Sequence, residues 1–203
     1  MRVCSGLKRS NSKSEREPLS KQSHNSRSGA IWEQINPQHS VPTLVDDGFV
    51  LWESRAICRY LVYKYGNDSS LYPKDPKTRA TVDQRLDFDL GTFYPSLGEY
   101  FYAQVFNGVP EDPQKLAKLE EVLEILNTFL EDSKFAAGEE LTLADLCLVT
   151  TVSTIDAIGI SLAKYPNIER WFELVKKIAP DYEEANGKGA ELNKQMAAKL
   201  RSK

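Results

Sequence analysis

Glu53, Ser54 and Arg55 stand where a β-prone run gives way to a helical pattern, and their types suit the binding of an anion. Ser54 falls where the spacing predicts a helix N-cap, so its hydroxyl and the free N–H groups of the first turn face outward. A helix start of this kind is a ready site for a carboxylate, which the N–H groups and the positive end of the helix dipole both favour. Taken singly, a serine there is most often only a cap, Arg55 a solvated charge and His39 a turn histidine. A second group is aromatic: Phe93, Tyr94, Tyr100, Phe101, Tyr102 and Phe106 exceed what one helix core requires. Packing explains such a run by spacing alone, yet a mostly apolar wall with a few phenols also suits hydrophobic compounds. Zinc chemistry finds no support, because Cys4, Cys58 and Cys147 are odd in number and lack CxxC spacing. So few cysteines suit a reducing compartment.

The elements that must position these residues are legible around them. Thr43–Asp46 and Phe49–Trp52 are short β-prone runs flanking Asp47-Gly48, a pair whose readiness for positive φ marks a two-residue hairpin. Pro42 leaves Val41 extended ahead of the hairpin. Ala56, Ile57, Tyr60, Leu61 and Lys64 then recur at helical steps, with Gly66 as the C-terminal cap. Residues 66–76, rich in Gly, Ser and Pro, read as a linker. Beyond it every pattern is helical. One helix runs from Lys77 to about Asn107, bent near Pro95, and Asp112-Pro113 opens another. Thr142 caps a third, with Asp145 reaching back to it. That helix is apolar nearly all round, so it is predicted to be buried. A further helix starts at Tyr165-Pro166-Asn167 and stops before Pro180, and a Lys/Glu-rich tail from Lys188 supplies a last surface helix.

The stretch NPQHSVPTLVDDGFVLWESRAI resembles the glutathione-binding half of cytosolic glutathione transferases, most closely the insect delta class. The resemblance spans roughly residues 32–182. It implies an α+β fold: a thioredoxin-like N-terminal domain, here truncated to residues 31–75, then an all-α helical bundle over 76–203. It also implies site roles. His39 would hydrogen-bond the glycine carboxylate of glutathione, and the main chain of Val41, before Pro42, would pair with the cysteinyl unit. Glu53 would accept from the γ-glutamyl ammonium and Ser54 would hold its carboxylate. Arg55 would touch the ligand and pair with an acid of the next domain, for which Asp89 is the candidate. Tyr94, Leu97, Tyr100, Tyr102 and Phe106 would line the pocket for the second, hydrophobic substrate. Thr142 and Asp145 remain structural. The implied reaction is attack of the glutathione thiolate on hydrophobic electrophiles in detoxification. Glutathione is then a co-substrate, with no other cofactor and no metal, and the expected state is a cytoplasmic homodimer.

Residues 1–30 carry no counterpart to the family's first β-α-β block, whose opening strand ends in the serine that hydrogen-bonds the glutathione sulfur. The segment is rich in Ser, Lys and Arg and nearly free of large apolar residues, which predicts disorder. None of its serines follows an apolar strand or opens a helix, so no catalytic serine is assigned. Impaired conjugation follows as an expectation. The alternative is a non-catalytic ligand-binding or dimer-partner protein. The whole chain has 203 residues and a formal net charge of −3, so it carries no basic field for nucleic acid or an anionic membrane. No apolar run approaches the roughly 20 residues of a membrane span.

Overall fold

Asp47 and Gly48 take positive φ (50° and 85°) and close an antiparallel hairpin of β1 (Thr43–Asp46) and β2 (Phe49–Trp52). Thr43 stands opposite Trp52 and Asp46 opposite Phe49, the register that a two-residue turn dictates. The computed structural model describes residues 35–67 and 70–202, and the expectations for residues 1–30 lie outside the described residues. Helix α1 (Ser54–Tyr65) follows the hairpin directly, and the Gly66 N–H closes it onto the carbonyl of Val62. A Cβ at Gly66 would stand 2.4 Å from that oxygen, which explains a glycine there without any left-handed turn.

The described residues divide into two compact units, 35–66 and 67–202. The second is helical. Asp75 caps α2 (Pro76–Phe88) by accepting from the Thr78 N–H at 2.9 Å. Helical backbone then continues to Asn107 through α3 (Tyr94–Leu97) and α4 (Ala103–Asn107), with π turns at Asp89–Phe93 and Gly98–Tyr102. Sequence reading expects one α-helix bent near Pro95. The first π turn stands just before that proline, where a missing N–H and a bulky ring disturb the ordinary ladder.

Helix α5 (Pro113–Phe129) starts on Asp112, which accepts from the Gln114 N–H at 2.9 Å. Helix α6 (Leu143–Ala157) is the buried centre: Ala144, Leu148, Val152 and Ile155 are fully enclosed. Helix α7 (Pro166–Ile178) packs on α5 and α6, burying Ile168, Trp171, Phe172 and Val175. Helix α8 (Lys188–Arg201) forms from the charged tail and lies against α4 and α6.

Two buried carboxylates lock this unit. Asp145 accepts from the Thr142 N–H and hydroxyl, from the Ala136 N–H at 2.7 Å and from the Trp171 indole at 2.8 Å. Its predicted role as a capping partner is therefore present, and it also binds the loop before α6 and the core tryptophan of α7. Asp89 accepts from the Thr151 hydroxyl of α6 at 2.9 Å.

Candidate functional site

Asn36 organises the approach to the hairpin. Almost wholly buried, it donates its amide to the carbonyl of Ser40 (3.0 Å) and to Thr43 Oγ1 (2.9 Å), while its oxygen accepts from the Gln38 N–H. The chain must therefore fold tightly between 36 and 43. His39 takes a positive φ of 53° and its N–H bonds to the Asn36 carbonyl, leaving the ring exposed. Val41 follows, 94% exposed, and its bond to Pro42 is cis. Among the described residues its N–H and C=O have no hydrogen-bond partner. A main chain so presented can pair with an extended peptide.

At the other end of the hairpin the chain turns through Glu53, whose φ is 69°. Here one sequence expectation is corrected. Glu53, not Ser54, is the N-cap of α1, because its positive φ turns the chain a residue earlier. Ser54 becomes the first helical residue, and its hydroxyl accepts from Arg55 Nη1 at 2.8 Å. The Glu53 side chain makes no capping bond, so the first N–H groups of α1 keep their anion-binding capacity. Glu53 is exposed and Ser54 partly so, whereas Arg55 is buried instead of solvated.

Asp46 ties the C-terminal half of α1 to the hairpin, a role that sequence reading missed. It accepts from the phenols of Tyr60 and Tyr65 at 2.5 Å each and from Lys64 Nζ at 2.8 Å. The ammonium of Lys64, then the phenols, hold its carboxyl down at about 2. The ring of Phe49 lies 5.3 Å from that of Tyr60 on the same contact. A spacing signal existed: 60 and 64 share a helix face, and strand residue 46 precedes a two-residue turn that folds back toward it.

The aromatic candidates separate into groups. Tyr94, Tyr102 and Phe106 come together, with ring centroids 6.2 Å apart for the first pair and 5.9 Å for the second. Tyr94 is 41% and Phe106 72% exposed, so this trio forms an accessible wall. The second π turn explains the grouping. Eight residues of α-helix leave two side chains about 80° apart around the axis, and one extra residue in the turn reduces this to about 20°. Leu97 is fully buried in the core. Tyr100 belongs to another cluster: its phenol donates to Glu111 at 2.9 Å, and burial, then Glu111, pushes it up to about 12. It borders a cleft of about 350 Å³ with Gln104, Ile158, Ala197 and Arg201.

Among the described residues no cluster of His, Cys, Asp and Glu could hold a metal ion, and no helix is long and apolar enough to cross a membrane. Comparison with known proteins gives two family matches. Residues 7–63 match the glutathione S-transferase N-terminal domain, and residues 57–178 match the C-terminal domain. The first match begins inside the segment that sequence reading leaves without a counterpart. The structure is similar to that of a delta-class glutathione transferase from Nilaparvata lugens, at 51% identity and a TM-score of 0.81 over 87% of this chain and 84% of that one. A Bombyx mori glutathione transferase is 44% identical, with a TM-score of 0.80 over 85% and 82% of the two chains. An epsilon-class glutathione S-transferase from the housefly, Musca domestica, is 40% identical, with a TM-score of 0.74 over 85% and 78%.

Proposed function

The chain belongs to the glutathione S-transferase family, and from this we propose that it binds glutathione and joins it to hydrophobic electrophiles. The observation that carries the glutathione half is the pairing of an exposed, unbonded Val41 main chain with an uncapped helix start at Glu53 and Ser54. The Val41 N–H and C=O pair with the cysteinyl unit. Ser54 and the first N–H groups of α1 take the γ-glutamyl carboxylate, Glu53 accepts from its ammonium, and the exposed His39 ring meets the glycine carboxylate. Buried Arg55 steadies the Ser54 hydroxyl and contributes positive charge beside that carboxylate.

The wall of Tyr94, Tyr102 and Phe106 takes the electrophile, with Leu97 in the core beneath this region, whereas Tyr100, turned to Glu111, stands apart from it. In the reaction a bond forms between the glutathione sulfur and an electrophilic carbon. The leaving group departs with its electron pair, and the thiol proton passes to solvent.

Conjugation is expected to be slow. A free thiol titrates near 8.5, so a donor aimed at the sulfur is needed to keep it ionised at neutral pH. In the sequence of residues 1–30 no serine follows an apolar β-prone run or precedes a helical pattern. That observation also favours a second reading, a ligand-binding or dimer-partner protein without turnover. Family habit supports a cytoplasmic homodimer engaged in detoxification.

Calorimetric titration of the full chain with glutathione tests the first half of the proposal. Wild type is expected to bind, and a Glu53→Ala, Ser54→Ala double mutant to lose at least tenfold in affinity. A folded wild type that ignores glutathione would sink the transferase reading. Binding without conjugation of a halonitroarene would select the second reading.

A further inference from the structure

We propose that the cleft bordered by Tyr100 is a binding site for a small phenolic carboxylate, held by Arg201 of α8 at one edge and by Glu111 at another. The proposal goes beyond the transferase reading and does not depend on it. The cleft lies wholly within the helical unit, among the second π turn and α4, the loop that follows them, the end of α6 and α8. It shares no residue with the wall of Tyr94, Tyr102 and Phe106. Its volume of about 350 Å³ falls in the lower part of the range of small-molecule sites, roughly 300–1,000 Å³.

The lining combines an apolar floor with two charges. Phe101, Ile158 and Ala197, each no more than 5% exposed, form the floor, with Leu200 beside them. Such a floor suits a flat ring system. Arg201 and Glu111 line the same cleft, yet among the described residues neither has an ion pair. Arg201 Nη2 donates to the Ile158 carbonyl at 2.5 Å, which fixes the guanidinium at the C-terminal end of α6. Its remaining N–H groups form a planar fork that matches a carboxylate. Glu111 accepts from the Tyr100 phenol at 2.9 Å, and its carboxylate has lone pairs left to accept from a second phenol in the same way. An aryl ligand with a carboxylate at one end and a hydroxyl at the other satisfies both charges while its ring covers the floor.

The test titrates the full chain with three probes: hydroxynaphthoate bearing its two groups at opposite ends of the ring system, naphthoate and naphthol. Wild type is expected to bind hydroxynaphthoate about fivefold or more tightly than either of the others. Arg201→Met is expected to lose about tenfold for the two carboxylates and nothing for naphthol. Glu111→Ala is expected to bind hydroxynaphthoate no better than naphthoate. Ala197→Leu fills the floor without touching either charge and is expected to weaken all three probes. Phe106→Ala, on the electrophile wall, is expected to change none of them. Each variant must melt cooperatively. A folded wild type that binds none of the probes, or an Arg201→Met protein that keeps wild-type affinity for naphthoate, overturns the assignment. A loss in Phe106→Ala with none in Ala197→Leu places the probes on the wall and overturns it as well.

Discussion

Asp46 and Asp145 are both carboxylates surrounded by donors, yet their surroundings move them in opposite directions. Asp46 sits at the surface, where Lys64 and two phenols hold it at about 2, below its ordinary 3.8. A folded value lower than the unfolded one gives stability that is present above about pH 4 and lost as pH falls toward 2. Asp46→Asn is therefore expected to flatten the acid-induced loosening of the hairpin between pH 4 and 2. Amide exchange of the β1 and β2 residues would measure it, and an unchanged pH profile would remove Asp46 from that role. Asp145 is buried, and burial pushes its carboxyl up against the pull of its donors. Its contribution therefore declines as pH rises through the carboxylate range. Asp145→Ala orphans the Ala136 and Thr142 N–H groups and the Trp171 indole. At about 1–3 kcal/mol for each stranded donor, a loss of about 3 kcal/mol or more is expected by chemical denaturation.

Helix ends show how far local chemistry is readable. Asp112-Pro113 and Thr142 with Asp145 announce their helices because cap and partner lie within a few residues of each other. Helix α7 has a cap that no local pattern reveals: the Asn127 side chain on α5 accepts from the Asn167 N–H at 3.0 Å. Asn127→Ala is expected to cost about 1–2 kcal/mol, as loss of a cap does, read as a lowered melting temperature. Gly159, just past α6, has φ +86°, and a Cβ there would stand 2.9 Å from the Arg201 guanidinium. That group also donates to the Ile158 carbonyl at 2.5 Å. Gly159→Ala is expected to cost about 1–2 kcal/mol through the left-handed backbone alone. Arg201→Met, which breaks the same contact without that strain, should cost less. Ser54 marks the opposite limit. Residue types point to Ser54 as the N-cap of α1, one position late, because the positive φ that makes Glu53 the cap is invisible in them.

For the molecule as a whole, glutathione is expected to act as a stabiliser, since a ligand bound only by the folded state adds about 2.7 kcal/mol at one hundred times its dissociation constant. A scan with and without glutathione should show a raised melting temperature for wild type and a clearly smaller rise for the Glu53→Ala, Ser54→Ala double mutant, since a tenfold loss of affinity leaves about 1.4 kcal/mol at most at that concentration. By itself the sequence determined the hairpin, the helical character of everything after residue 76, the buried status of α6 and the family. These rest on turn chemistry, periodicity and short-range caps, which act between neighbours in the chain. Tertiary structure decided what depends on distant residues meeting. It placed Asp46 under Tyr60, Lys64 and Tyr65, and enclosed Leu97. It also separated Tyr100 from the other aromatics and gathered Tyr94, Tyr102 and Phe106 on one face. That last grouping turns on one extra residue in a π turn, and the rotation it imposes exists only once the helix around it has formed.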